Sequence, residues 1–359
     1  MSHDNINLKE VEENFLKELN DAKAGKKTSL PFILHKVSTK PIVEEGEVFQ
    51  VLVIGGTIFR KALVKKENGK LIIHDKEEKY QPPFHHKDDF EHFLEKEISP
   101  NVSLIALNFA YPLKPVFENG KIDGILVSGT KENVFGDMIG KRVGREIEKF
   151  IQKTQKRKIK VAVANDTVCL LFAGLTKFSW DELAAGVIGT GMNFAFFLNS
   201  DTVVNLESGN FNKFPQTPEA RLIDTYSTNV GAGLFEKEVA GAYLYKHFNL
   251  IRELKSVNHS SIDSTEELDR IAQQRIPDVS ALAKALLQNS AELVAAQIGG
   301  LMLFKQSSLT FAIEGSLFWL SDAYRKNVQN CLKKICPQYK ARFVRIEQST
   351  ILGAAKLIA

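Results

Sequence analysis

The stretch Val161-Ala162-Val163-Ala164-Asn165-Asp166-Thr167-Val168-Cys169-Leu170-Leu171 decides how the rest of the chain is read. Its first four residues are apolar and alternate with β-branched valine, the pattern of a buried strand. The run stops at Asn165-Asp166, and an apolar segment of helical length begins at Thr167. Asn and Asp favour helix N-termini, because their side-chain oxygens accept backbone N–H groups that have no partner inside the helix. In open α/β sheets, ligands bind at the carboxyl ends of strands. A carboxylate at this point can be held ionised by the helix N-terminus and accept a proton. Taken alone, Asp166 reads as a helix cap; what flanks it turns the reading toward catalysis.

Upstream, residues 8–24 carry Leu8, Val11, Phe15, Leu16 and Leu19 at helical spacing, and residues 29–46 read as an extended connector. Gln50–Ile54 is a strand, Gly55-Gly56-Thr57 a tight turn, and Ile58–Lys65 a second strand. Glu67-Asn68-Gly69 is a hairpin signal leading to a third strand at Leu71–His74. A helix at 87–98, a strand at 104–109, a loop holding Pro112 and Pro115, a short strand at 124–127 and a helix at 137–152 complete the unit. Downstream the order recurs. Leu183–Ile188 is a strand, Gly189-Thr190-Gly191 a turn, and 193–198 and 203–206 are strands. Helices are expected at roughly 217–228 and 234–248, and Ser264-Thr265-Glu266-Glu267 is a capping box opening another. A long helix over 279–305, a strand at 309–313, helix over 316–335, a strand at 342–346 and a closing helix at 351–358 follow. Two successive α/β units facing each other leave a cleft where the two Gly/Thr turns meet, and such turns let exposed N–H groups cradle phosphate.

The bulk properties set limits on this reading. The chain has 359 residues, enough for two domains, with 44% hydrophobic and 25% charged residues, as in an ordinary globular protein. A net charge of +4 from 47 basic and 43 acidic residues is too balanced to argue for nucleic acid. The basic run Lys153–Lys160 reads as a solvated helix end or loop. Three cysteines, Cys169, Cys331 and Cys336, make neither an even disulfide framework nor a paired metal motif. No apolar run approaches the ~20 residues that span a bilayer, and the N-terminus lacks the regions of a signal peptide. The expectation is a soluble, cytoplasmic protein with no nucleic-acid or membrane partner and an oligomeric state left open.

At this point the chain resembles the hexokinase family of the actin-like ATPase superfamily. Ser29-Leu30-Pro31-Phe32 and Gly55-Gly56-Thr57-Ile58-Phe59-Arg60 resemble its connector and first phosphate loop, and Phe109-Ala110-Tyr111-Pro112 and Thr130-Lys131 its sugar-side segments. Asn165-Asp166-Thr167 matches its catalytic signature, and Ile188-Gly189-Thr190-Gly191-Met192-Asn193 its second phosphate loop. Asn205-Leu206-Glu207-Ser208-Gly209-Asn210-Phe211, Phe235-Glu236-Lys237 and Gly241-Ala242-Tyr243-Leu244 fit its large-domain sugar motifs. Glu314-Gly315-Ser316-Leu317-Phe318 and Gly353-Ala354-Ala355 fit its adenosine region and closing helix.

The resemblance implies two actin-like (ribonuclease H-like) domains with mixed sheets around a central cleft. Residues 48–164 plus 349–359 would form the small domain, and 1–47 plus 165–348 the large one. It implies an ATP- and Mg2+-dependent transfer of the γ-phosphoryl group to the 6-hydroxyl of a hexose such as glucose. Asp166 would be the general base and Lys131 the cation beside the transferring group. Thr130, Asn165, Asn193, Glu207 and Glu236 would bind the sugar. Gly55, Gly56, Thr57, Arg60, Gly189, Thr190 and Gly191 would hold phosphate, with Gly315, Ser316 and Ser349 near adenosine.

The chain departs from the family pattern at several points. Val53 stands where the first phosphate loop has Asp, Ile58 where it has Asn, Ala110 where Ser is usual, Ser208 where Trp is frequent, and Gly233 where a polar sugar contact is expected. The Asp missing at Val53 helps to hold magnesium, so no metal-ligating side chain is assigned. The alternative reading is therefore a catalytically impaired sugar- or nucleotide-binding regulatory protein. A repressor related to sugar kinases would need a helix-turn-helix before Val51 or a Cys/His zinc cluster, and neither is in the sequence.

Overall fold

From the N-terminus the chain forms α1 (Leu8–Lys23), β1 (Ile33–Lys36) and a meander of β2 (Val48–Ile54), β3 (Ile58–Glu67) and β4 (Lys70–Tyr80). Next come α2 (Lys87–Glu97), β5 (Leu104–Phe109), the ribbon β6 (Leu113–Glu118) and β7 (Lys121–Leu126), α3 (Val143–Gln155), β8 (Lys160–Ala164) and α4 (Asp166–Gly174). A second meander, β9 (Leu183–Ile188), β10 (Met192–Asn199) and β11 (Thr202–Asn205), leads into α5 (Pro218–Thr225), α6 (Leu234–Val239), α7 (Gly241–Leu254), α8 (Thr265–Gln273) and α9 (Pro277–Lys305). The chain closes with β12 (Leu309–Glu314), α10 (Ser316–Leu320), α11 (Asp322–Ile335), β13 (Ala341–Val344) and α12 (Ser349–Lys356). This computed structural model describes residues 6–55, 57–129 and 133–359. Gly56, Thr130 and Lys131, three of the expected site residues, lie outside the described residues.

The recurring element order becomes two sheets of one topology. One reads β4-β3-β2-β5-β8 and the other β11-β10-β9-β12-β13, with β1 added outside β11. In each, the third, second and first strands of the unit are followed by its fourth and fifth. β2–β3 and β3–β4 are antiparallel, whereas β2–β5 and β5–β8 are parallel. The order therefore reverses at β2, the kind of switch point beside which open α/β sheets take ligands. β10–β11 is antiparallel and β12–β13 parallel, so both sheets are mixed.

Contacts divide the chain into two compact units. The first comprises residues 1–32, 186–194 and 206–345; the second comprises 33–185, 195–205 and 346–359. In the first, α1 is capped by Asn7 and lays Val11, Phe15 and Leu19 onto α9. A Cβ at Gly300 would stand 2.8 Å from the Phe15 ring, so that helix contact needs glycine. In the second, Phe84, Phe90, Phe109, Tyr111 and Phe135 form an aromatic cluster with centroids 4.7–5.9 Å apart, inside a core that also holds Leu52, Ile54, Ile105, Leu107, Val161 and Val163. Offset and edge-on ring packing of this kind adds to the burial itself.

Several elements differ from what the sequence suggested. The connector over 29–46 contains β1, which pairs antiparallel with β11. The Pro112–Pro115 loop contains β6, with Pro115 opposite Gly124. The helix expected over 234–248 is broken at Ala240, which is extended (φ −81°, ψ 152°). The helix expected from 137 begins at Val143, after a single 3₁₀ turn at Gly136–Met138. Among the described residues, no helix is long and apolar enough to cross a membrane.

Candidate active site

In the second unit, β8 ends at Ala164 and α4 begins at Asp166. Asn165 is the cap: its Oδ1 accepts the Val168 N–H at 3.0 Å. The side chain expected to contact sugar thus already serves the helix through its oxygen. Asp166 Oδ1 accepts the Thr167 N–H at 2.7 Å and the Thr167 hydroxyl at 3.2 Å. Asp166 is open to solvent, yet protein crowds around it. That desolvation raises its pKa above the usual carboxylate value, against the lowering effect of the Thr167 hydrogen bonds.

α4 is located by α12. A Cβ at Gly353 would meet the Cys169 carbonyl oxygen at 1.9 Å, so glycine lets the two helices touch backbone to backbone. Ser349, the first residue of α12, is buried. The first turn is tied down at Gly55, whose carbonyl accepts the Tyr111 hydroxyl at 2.6 Å and Gln81 Nε2 at 2.8 Å. The Gln81 N–H donates to the Thr57 carbonyl at 2.8 Å, and Thr57 is exposed. Arg60 faces across the sheet to Glu78 on β4, Nε to carboxylate 2.6 Å, so its charge is engaged within the unit.

Val53 is 5% exposed and stands in register with Asn108, which in turn stands opposite Ala164. Asn108 is 1% exposed; its Nδ2 donates to the Thr350 carbonyl at 3.4 Å and its Oδ1 has no hydrogen-bond partner. Among the described residues, no group of three or more His, Cys, Asp or Glu gathers as a metal cage. Magnesium needs none when it arrives on phosphates, because one or two carboxylates then suffice. Asp166 is the carboxylate this unit offers beside the strand ends, and the buried Asn108 oxygen is neutral.

In the first unit, three segments distant in sequence meet at the second turn. A Cβ on Gly189 would stand 3.0 Å from the Gly315 Cα, one on Gly241 2.9 Å from the Gly189 carbonyl oxygen, and one on Gly315 2.1 Å from the Ile188 carbonyl oxygen. Gly315 has φ 114°, a conformation only glycine takes freely. The first two N–H groups of α7 are spent on this loop: Gly241 donates to the Gly189 carbonyl at 2.8 Å and Ala242 to the Thr190 carbonyl at 3.2 Å. The result is a backbone-walled cradle with Thr190 and Ser316 exposed, suited to a phosphorylated ligand.

Glu236, on α6, is pinned beside the same turn, its Oε2 accepting the Met192 N–H at 2.9 Å. Gly191 and Gly209 make room for it, since a Cβ on either would stand 2.9 or 3.0 Å from Glu236 atoms. Burial raises the Glu236 pKa, while the Met192 N–H and the charge of Lys237 lower it. Lys237 does not pair with Glu236. It is 1% exposed and turns the other way, onto the Asp224 carboxylate, the Ser227 hydroxyl at 2.9 Å and the Asn229 carbonyl at 2.8 Å. Asn193 Oδ1 accepts the Ser208 N–H at 3.2 Å, next to Glu207. Glu207 itself is left-handed, φ 50° and ψ 49°, at a cost on the order of 1–3 kcal/mol. Each unit thus gathers its own candidates: Gly55, Thr57, Asn165, Asp166 and Ser349 in one, Gly189, Thr190, Gly191, Asn193, Glu207, Glu236, Gly315 and Ser316 in the other.

Sequence reasoning missed Tyr111 and Gln81 as anchors of the first turn, and Asp224 as the partner of Lys237. Asp224 lies thirteen residues before Lys237, on α5, and nothing local in the sequence marks it as a partner.

Two family models described as hexokinase match the chain, at residues 1–175 and 246–359. Hexokinase-2 of Solanum tuberosum is 28% identical over 272 residues, covering 66% of this chain and 54% of its own. Against that protein and two hexokinases of Oryza sativa subsp. japonica, the chain spans about half of the relative's length (54%, 50% and 49%). Among solved structures, a hexokinase superposes with a TM-score of 0.79 at 20% identity, covering 98% of this chain and 95% of its own. A Schistosoma mansoni hexokinase complexed with glucose superposes with a TM-score of 0.74 at 19% identity, covering 98% and 94%. At those identities the likeness speaks for the fold.

Proposed function

This chain belongs to the hexokinase family, and on that premise we propose that it transfers the γ-phosphoryl group of ATP to the 6-hydroxyl of a hexose such as glucose. The observation that carries the reading is the Asp166 carboxylate, standing past the end of β8 with the capping role taken by Asn165 and its pKa raised. Asp166 takes the proton of the sugar hydroxyl while that oxygen bonds to the γ-phosphorus. The bond from phosphorus to the β,γ-bridging oxygen breaks, ADP departs, and Asp166 later passes its proton to water. A base placed in this way contributes about 10²–10⁴ in rate.

Glu207, Glu236, Asn193, the Nδ2 of Asn165 and Thr130 supply the acceptors and donors for ring hydroxyls. The glucose bound by the Schistosoma relative supports that ligand class. Gly55, Gly56, Thr57 and Arg60 with Gly189, Thr190 and Gly191 hold the phosphates; Gly315, Ser316 and Ser349 border adenosine, and Lys131 is the cation of the transfer. In domain terms the proposed small domain is 48–164 plus 349–359 and the large one 1–47 plus 165–348, whereas contacts group residues 33–47, 165–185 and 195–205 with the former. Magnesium, when bound on the nucleotide, would neutralise phosphate charge; Asp166 is the acidic residue this unit would offer it, and it cannot serve fully as both proton acceptor and metal anchor.

The test is a coupled assay of ADP release with glucose, mannose, fructose and glucosamine, beside a calorimetric titration of glucose. Hexose-dependent ADP release that disappears in Asp166→Asn is expected. Absence of ADP release with all four sugars, together with absence of glucose binding, sinks the proposal. A second reading, a sugar- or nucleotide-binding regulator with little turnover, is favoured by Val53, which puts an apolar side chain where a carboxylate would help to hold the metal. Binding without ADP release selects it.

A further inference from the structure

The left-handed Glu207 opens a 3₁₀ turn at Ser208–Asn210. A non-glycine residue stays in that region only where its surroundings over-determine it. Three amide side chains grip the peptide groups around it. Asn193 Oδ1 takes the Ser208 N–H at 3.2 Å, Asn210 Nδ2 donates to the Glu207 carbonyl at 3.1 Å, and Gln297 Nε2 donates to the Ser208 carbonyl at 3.1 Å. The first two lie in or beside the sugar motifs. Gln297 comes from the middle of α9, where Val294, Ala295, Ala296 and Ile298 are all fully buried apolar residues.

Gln297 and Ser208 are both 0% exposed. A carbonyl accepts only from the nitrogen end of an amide, so the bond to Ser208 fixes which way the Gln297 group points. Its Oε1 is left without a hydrogen-bond partner, as is the Ser208 hydroxyl. A half-satisfied amide inside an apolar helix is an unfavourable choice for packing alone. Its one achieved bond is to the turn that presents Glu207.

We propose that Gln297 is a positioning residue that holds Glu207 in its left-handed conformation and so aims its carboxylate at the sugar. The proposal rests on the reading of Glu207 as a hexose ligand. Gln297 touches no substrate; it clamps the Ser208 carbonyl, one peptide beyond Glu207, while Asn210 holds the carbonyl of Glu207 itself. Asn210 also accepts the Gly233 N–H through Oδ1 at 3.2 Å, which ties the same turn to the start of the helix bearing Glu236.

Two variants test it. Gln297→Met keeps the length and apolar fit and removes the donor; Gln297→Asn keeps the amide and falls one methylene short. Hydrogen exchange is read at the amides of Asn210 and Phe211, which donate to the Glu207 and Ser208 carbonyls at 3.0 and 3.2 Å. Glucose binding is read by calorimetry, and KM against kcat in the coupled assay. Exchange at those two amides should quicken about tenfold with α9 unchanged, and the glucose Kd and KM should rise about tenfold with kcat nearly constant, the effect of one lost hydrogen bond. A purely structural Gln297 would lower Tm and leave KM alone. Wild-type exchange and wild-type Kd in either folded variant overturn the proposal. If the wild-type protein binds no glucose, the hexose reading is what fails, and exchange at Asn210 and Phe211 still decides whether Gln297 holds the turn.

Discussion

Asn165 caps the helix that Asp166 begins: its Oδ1 accepts the Val168 N–H at 3.0 Å, and the neighbouring carboxylate is left bonded to Thr167 at the helix N-terminus. Two adjacent residues, either of which could cap, have divided the work. For Asp166→Asn we expect turnover to fall by at least about a hundredfold, with glucose affinity within threefold of wild type. The amide keeps the shape and cannot take the proton. Because proximity of protein raises the Asp166 pKa, wild-type activity should decline on acidification at a pH above that of an ordinary aspartate. A variant retaining a tenth of the wild-type rate would show that the base lies elsewhere.

Glu207→Ala and Glu236→Ala should each weaken glucose binding by about 10- to 100-fold, the loss of a hydrogen bond to a charged group. Glu236 carries the added effect of releasing the Met192 N–H it now accepts. Calorimetry on the two purified variants is the check, and unchanged affinity in both removes them from the sugar site.

Val53→Asp should lower the magnesium needed for half-maximal turnover at fixed ATP, while also lowering Tm. The position is 5% exposed and lies beside the buried Asn108 amide, so a new carboxylate is stabilised there chiefly when a cation is close. If the variant folds and its magnesium dependence is that of wild type, Val53 is only a strand residue.

Glu238 gives stability a pH dependence of its own. It is 2% exposed, accepts the Thr217 N–H at 3.0 Å and the Thr217 hydroxyl at 3.2 Å, and burial pushes its pKa up to about 7. Its folded pKa lies above the ordinary 4.5, so the fold prefers the protonated form. That contribution is full below pH 4.5 and is lost as pH rises to about 7, a few kcal/mol at most at about 1.4 per pK unit. Melting curves from pH 4.5 to 8 should fall more for the wild type than for Glu238→Gln. Parallel curves contradict the assignment.

Gly353→Ala forces a methyl group into the 1.9 Å approach to the Cys169 carbonyl. α12 must then move off the helix that carries Asp166, an overpacking cost of about 1–3 kcal/mol. Both Tm and turnover should drop, Tm by several degrees. Wild-type values for both would mean that α12 does not locate α4.

Much of the fold was legible because β-branched runs such as Val161–Ala164 and Leu183–Ile188 are short, apolar and closed by turn residues. The doubled element order could be read one-dimensionally, and the sheets repeat it strand for strand. β6 was not legible, because Pro115 reads as loop. In a two-stranded ribbon one side of the strand needs no ladder N–H, so the proline is tolerated. The break at Ala240 was hidden because Phe235–Phe248 keeps helical spacing; what breaks it is Gly241, drawn to the Gly189 carbonyl. At the site, Asp166 announced itself by position. Gln297 could not, since its partner Ser208 lies far away in sequence and its neighbours look like any buried helix.

The meeting of Gly189, Gly241 and Gly315 bears on how this gene can drift. Each glycine is walled by the backbone of another, with approaches of 2.1–3.0 Å, so no neighbouring side chain can swing aside to admit a methyl group. A codon change at one of them has to be answered by moving two other stretches of chain, a coordinated event that single mutations do not supply. The lengths of the intervening segments are less restricted where they take no part in the contact and hold no buried charge, as at the exposed turn near Ser256. Insertions and deletions should therefore accumulate in those segments while the three glycines persist, and a library of random indels selected only for folding would show that division.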